Sequence, residues 1–180
     1  MKLSIELSDK SIFSAIKTLV QYENGLRQKT RTLVDRLLDE GIEVAQQNSG
    51  EYGQFISFTK KLDDGYDVHV GALIARDKNT IMRTWLYYGS LKFAFISPLL
   101  MAEFGSGWLA EVLSNVSGVG QGTFPNQTHA FDEGGWWYMT EDKQWVHTEG
   151  EAPTHPMYNA QMAIISRVDQ IAKEVFKDGE

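Results

Sequence analysis

Apolar residues recur at steps of three and four along the first quarter of the chain. They are Ile12, Phe13, Ile16, Leu19 and Val20, then Leu26, Leu33, Val34, Leu37, Leu38, Ile42 and Ala45. That period predicts an amphipathic helix running from a Ser8 or Asp9 cap to about Gln46. Gly25 stands in its middle and leaves two readings open. Unbroken, ~38 residues at ~1.5 Å each make a rod of about 57 Å, longer than one small core needs, with surplus length to pack on a neighbouring subunit. Split at Asn24-Gly25, the same residues fold back as two ordinary helices.

From Gln54 the period changes to two, with Phe55, Ser57 and Thr59 alternating against Ile56 and Phe58. We expect a strand there, a turn at Asp63-Asp64-Gly65, and a hairpin partner from Tyr66 to Ala75. A second turn at Asp77-Lys78-Asn79 leads to a third strand from Ile81 to Tyr88. Phe93 to Ile96 is a fourth strand or the entry to a short helix, with Pro98 marking the break. Consecutive strands joined by tight turns predict an antiparallel meander rather than a parallel nucleotide-binding sheet.

The apolar run Phe93 to Leu100 closes in Met101-Ala102-Glu103-Phe104-Gly105-Ser106-Gly107. This stretch reads as a buried segment ending in a sharp reversal. Phe104 supplies core area, Gly105 and Gly107 permit positive φ, and Glu103 sets a carboxylate next to apolar surface. After Pro153 and Pro156 the helical period returns. Met157, Ala160, Ile164, Ile165, Val168, Ile171, Ala172 and Val175 line one face as far as Phe176, with Lys173 and Lys177 at the helix end that favours cations. The expected fold is α+β: an antiparallel sheet of about four to six strands, with the long N-terminal helix and the C-terminal helix packed on one face. We expect one domain over residues 1–180. It is organised as a helical arm (1–48), antiparallel strands (53–104), a Gly/aromatic insert (105–152) and the C-terminal helix (153–177).

Composition narrows the function. With 180 residues and 42% apolar content the chain supports one sizeable core. It has no apolar run of the ~18 residues that a membrane span requires, and no signal-peptide layout at Met1-Lys2-Leu3-Ser4, so a soluble protein made in the cytoplasm is expected. Zero cysteines exclude disulfides, thiolate metal sites and a cysteine nucleophile. The net charge of −7 is unevenly placed: residues 1–61 carry 9 basic and 8 acidic groups, 62–100 carry 4 and 4, and 101–180 carry 4 and 12. A module that grips nucleic acid needs a basic face, so this balance argues against DNA binding. It is compatible with DNA passing close by, because an acidic surface repels phosphates.

Candidate chemistry is sparse. Gly118-Val119-Gly120-Gln121-Gly122 superficially resembles a phosphate loop, but no strand leads into it, no helix follows and no Lys is present. The paired carboxylates Asp132/Glu133 and Glu149/Glu151 have the residue type for glycosidase chemistry. With twelve acids in this half, such pairs arise by chance and read better as a solvated face. His69, His129, His147 and His155 lack metal-ligand spacing, and no GxSxG elbow promotes a serine. We therefore expect no catalytic residue, cofactor or metal. The aromatic segment Trp136-Trp137-Tyr138, facing Trp145-Val146-His147 across Glu141-Asp142-Lys143, predicts a hairpin. Its rings fill a core or a subunit interface, or, as a rival reading, stack on sugars as a glycan-binding module using Trp136, Trp137 and Trp145.

Ala102 to Gly107 also resembles the (I/A)EFG(A/S/T)G signature of a tailed-bacteriophage neck family, the small head-to-tail joining or tail-completion proteins of long, non-contractile-tailed phages. The long N-terminal helix, a Gly/aromatic insert after the signature, and Pro156-Met157 opening a C-terminal helix agree with that family in order and spacing. The resemblance implies a structural virion protein in a homo-oligomeric ring, a hexamer or dodecamer. The ring would join the DNA-filled head to the tail and touch neighbouring neck proteins and the tail terminator, with DNA passing by without specific binding. It implies structural roles for Glu103, Phe104, Gly105, Gly107, Pro156 and Met157, and an interface at Trp136, Trp137, Tyr138 and Trp145. The segment Asn79 to Leu100 is more aromatic and apolar than the family pattern leads one to expect.

Overall fold

The computed structural model describes residues 8–65, 68–87, 90–106, 134–139 and 142–177. Gly107, the Gly118–Gly122 segment, His129 and the Asp132/Glu133 pair lie outside them. The protein is mixed helix and sheet, with a long N-terminal and a C-terminal helix. Helix α1 spans Asp9–Gln47 without a break, and Ser8 caps it by accepting from the Ser11 amide at 3.4 Å. Of the two readings of Gly25, the rod holds. A Cβ built at Gly25 meets nothing within 4 Å, so this glycine costs helix propensity but breaks no hydrogen bond.

A 3₁₀ turn at Gly50–Phe55 leads into strand β1, Ile56–Asp64, which pairs antiparallel with β2, His69–Asp77. The expected start of β1 at Gln54 and the turn at Asp63-Asp64-Gly65 are both displaced. Asp63 and Asp64 stay in the ladder opposite Val70 and His69, and the reversal is closed by the Gly65 amide donating to the Val68 carbonyl at 3.0 Å. Asp64 gains a second reason to stay in the strand, since it bonds His69 Nδ1 at 3.0 Å and pairs with Arg31 at 3.3 Å.

Strands β3, Ile81–Tyr87, and β4, Ser90–Ile96, form the next hairpin, and Pro98 opens helix α2, Pro98–Phe104. Strands β5, Trp136–Met139, and β6, Trp145–Thr148, form the aromatic hairpin, and helix α3 spans Pro156–Phe176. One continuous meander was expected; the strands instead form two antiparallel sheets. One is the β1–β2 pair and the other runs β4–β3–β5–β6, its two hairpins joined, among the described residues, through the pair Leu86 and Met139. The connection from β2 to β3 starts a new ladder because the Lys78 amide returns to the Phe55 carbonyl at 2.7 Å, and Asp77 Oδ1 accepts from the Leu99 amide at 2.8 Å. Those bonds hold the end of β2 against the 3₁₀ turn and α2.

Helix α3 lies antiparallel along the second half of α1, with Arg36 bonded to Glu174, Glu40 to Arg167, and Asn48 to Asn159. Close approach is possible because Gly41 has no side chain: a Cβ there would sit 2.7 Å from Ile164 Cδ1. Gly71 does the same for β2, where a Cβ would lie 2.8 Å from Leu38 Cδ1. Lys60 of β1 reaches Asp35 at 2.6 Å and Asp39 at 2.7 Å on α1, and these hydrogen bonds raise its pKa above the ordinary lysine value.

Among the described residues the core includes buried Leu38, Ala45, Tyr52, Ile56, Met101, Ala102, Ala160 and Ile171, with Pro98 and Pro156 also buried. Phe104, expected in the core, is 37% exposed. On a helix turning ~100° per residue, Pro98, Met101 and Ala102 share one face, and Phe104 falls ~160° from Ala102, so a helix of one face cannot bury all four. The face read for α3 was likewise too wide: Ala160 and Ile171 are buried, whereas Ile165 and Val168 are exposed.

Candidate functional site

The residues singled out in the signature meet those that open α3. His155, the residue before α3, has φ 52° and ψ 50°, and its side chain makes no capping bond. The missing cap is supplied from α2. Glu103 Oε2 accepts from the Met157 amide at 2.8 Å, and Oε1 from the Tyr158 amide at 3.1 Å. A carboxylate at a helix N-terminus satisfies amides that have no partner in the helix and opposes the positive end of its dipole. Pro156 fits because the first helical position needs no N–H donor, and it is among the largest fully buried side chains.

Gly105 takes φ 64° and ψ −159°, a backbone region essentially reserved for glycine. Its lack of a Cβ serves packing as well as conformation. A Cβ there would collide with the Glu151 carbonyl oxygen and sit 2.8 Å from the Pro153 nitrogen. The chain returning from the insert therefore lies directly on Gly105. Ser106 and Glu151 exchange backbone bonds at 2.9 Å in both directions, and the Ala102 carbonyl accepts from the Thr154 and His155 amides at 2.8 and 3.0 Å. The Tyr52 hydroxyl donates to Glu151 Oε2. Of the carboxylate pair Glu149/Glu151, then, Glu151 is engaged at this junction as the acceptor for Tyr52.

Sequence reasoning identified Glu103, Gly105, Pro156 and Met157 but not what they bind. It quoted Ser106 within the signature and Glu151 within a carboxylate pair without placing either at this junction, and it missed Tyr52 and Thr154, which complete it. Ser106, Glu151 and Thr154 bond across about 50 residues, largely to backbone atoms, and Tyr52 reaches the Glu151 carboxylate from 99 residues away; no local residue pattern encodes such a partner. Leu73, Glu103, Tyr158, Ile164 and Ile165 line an open groove beside the junction.

The aromatic hairpin is present with the expected pairing: Trp136 opposite Thr148, Trp137 opposite His147, Tyr138 opposite Val146 and Met139 opposite Trp145. Register places Trp137, Met139, Trp145 and His147 on one face and gives Trp136 and Tyr138 the alternate positions. Trp137 is 63% and Trp145 64% exposed, and the Trp137 ring lies 5.0 Å from that of His147. Among the described residues, no group of three or more His, Asp or Glu could hold a metal ion, and no helix is long and apolar enough to cross a membrane. Comparison with protein-family models, with curated proteins and with solved structures finds no match.

Proposed function

We propose that this chain is a structural subunit of a phage neck, assembled into a homo-oligomeric ring that joins the DNA-filled head to the tail. The observation that carries this reading is the junction itself. The signature and the Pro-Met pair, which the resemblance links across 50 residues, are physically one unit, with Glu103 capping the helix that Pro156 opens. A motif of this kind preserves a joint rather than a reaction centre. The unpartnered apolar surface adds support, since Phe13, Val70, Phe93, Phe95, Trp137 and Trp145 are all more than half exposed in the single chain. The mixed helix and sheet architecture, with α3 packed along α1 and α1 against the β1–β2 hairpin, suits a subunit that must present two different patches to its neighbours.

On this reading the protein takes no cofactor, acts in the virion after synthesis in the host cytoplasm, and contacts the neighbouring neck proteins and the tail terminator. The test is electron microscopy of a lysate from the parent phage or prophage with this gene disrupted. The expected outcome is packaged heads beside separate finished tails, rejoined when the protein is added back. Intact infectious virions would overturn the proposal.

The exposed Trp137 and Trp145 on one face favour a second reading, a glycan-binding module. Saturable quenching or enhancement of tryptophan fluorescence by oligosaccharide would support it, and a flat titration would remove it.

A further inference from the structure

We infer that the first half of α1 in one subunit docks on the β5–β6 hairpin of a second copy, making a head-to-tail contact. The inference rests on the reading of the chain as a self-assembling subunit, and not on where in a virion the assembly sits.

The docking surface is a continuation of the core. At ~100° per residue, Ile12, Ile16, Leu19 and Val20 share a face of α1 with Val34, Leu38, Gly41 and Ala45. The second set is covered by α3 and β2, and Leu38, Gly41 and Ala45 are buried. No described residue of α1 before Leu38 is buried, and Ile12, Phe13, Ile16, Leu19, Val20 and Leu26 are all exposed, Phe13 to 73%. Since α3 ends at Phe176, alongside the stretch where Arg36 meets Glu174, residues 9–30 project past the helix pair. At ~1.5 Å per residue the projection is ~33 Å long.

Charge selects the occupant. Residues 9–30 carry four basic groups (Lys10, Lys17, Arg27, Lys29) and two acidic (Asp9, Glu23), a net +2. A second arm laid on the first would set +2 against +2. The described residues of the hairpin and its flanks, 134–139 and 142–151, carry three acidic groups (Asp142, Glu149, Glu151) and one basic (Lys143), a net −2. Opposite charge and exposed tryptophan are what an interface for a basic, apolar helix presents. The dimensions agree as well. Four-residue strands at ~3.3 Å per residue span ~13 Å, and Ile12 to Val20 spans ~12 Å of helix axis. The pairing is between different patches, so it propagates and can close into a ring.

The absence of cysteine allows a clean test. Full-length Ala15→Cys and Gln144→Cys chains, each otherwise cysteine-free, are mixed in equal amounts and treated with a flexible bis-maleimide after circular dichroism has shown native helicity in both. The inference expects a covalent dimer in the mixture and little in either chain alone, with Lys10→Glu/Lys17→Glu reducing its yield about tenfold and Asp142→Lys/Glu149→Lys in the other copy restoring it. Cross-linking of Ala15→Cys alone would identify an arm-on-arm pair and overturn the inference. So would a light-scattering oligomer that gives no cross-link, an outcome that leaves the ring proposal standing. A chain monomeric at every concentration would also overturn it, and the ring would then be judged by the disrupted-gene lysate.

Discussion

The two halves of α1 have the same apolar period and opposite environments. From Leu33 on, the stripe meets α3 and the β1–β2 hairpin, and Leu38, Gly41 and Ala45 are sealed. Before Leu33 the same stripe faces outward along more than five turns. The difference teaches that helical periodicity states which face seeks a partner and is silent on whether the partner belongs to the same chain. Among the described residues α1 meets one for only about half its length, because α3 is 21 residues long and α1 is 39.

Substitutions sharpen the contrast. Leu38→Ala removes a buried side chain between α1 and Gly71 of β2, and should lower unfolding free energy by ~2–5 kcal/mol in denaturant titration. A loss below about 1 kcal/mol would mean that the second half is not a core. Glu103→Ala leaves the Met157 and Tyr158 amides without acceptors, and should cost ~1–2 kcal/mol with faster amide exchange confined to the start of α3. Glu103→Gln, which keeps an acceptor, should recover part of it.

Gly25→Ala tests the rod between the two halves. The position is helical with open space around it, so alanine should stabilise by ~0.5–1 kcal/mol and slow exchange across the middle of α1. Destabilisation would show that the helix bends there in solution. Leu19→Ala, in the exposed half, should change the stability of the unassembled chain by under ~0.5 kcal/mol while weakening self-association. Equal losses for Leu19→Ala and Leu38→Ala in dilute monomer would erase the contrast.

The smallest effect concerns pH. The Arg36 hydrogen bond, followed by that of Gln170, lowers the Glu174 pKa below the ordinary glutamate value. A carboxylate with a lowered folded-state pKa contributes stability that is present above its unfolded pKa and lost as pH falls through the folded one. The α1–α3 pair should therefore loosen slightly on acidification. Arg36→Ala should flatten that dependence in urea midpoints measured across the acid range. Because both side chains are more than two-fifths exposed, solvent screens the pair and the change is small.

Local patterns were sufficient for much of the fold. The Ser8 cap, the period of α1, the strand alternation before and after Asp77, Pro98 as a break, Pro156 as a helix start, and the cross-strand aromatics each act within a few residues, and each is found in place. Boundaries set by remote bonds were not legible. Asp64 remains in β1 because Arg31 and His69 hold it, and the meander divides because Asp77 is held by the Leu99 amide. Phe104 was misplaced for a related reason: apolar character says that a residue favours burial, while the direction it faces depends on which side of α2 meets Tyr52 and Ile56.

The junction shows the division most clearly. That Gly105 occupies a turn and Pro156 a helix start follows from their own covalent structure, which restricts or frees φ regardless of surroundings. That Glu103 caps α3, and that a side chain at Gly105 would strike Glu151, depends on segments some 50 residues apart being brought within 3 Å. Sequence alone determined most of the elements and the general direction of the long helices' apolar faces, because those follow from local sterics and period. Only the tertiary structure decided which faces are covered, which carboxylate caps which helix, and which half of α1 keeps its apolar stripe exposed. Those outcomes depend on contacts between distant segments that no local pattern specifies.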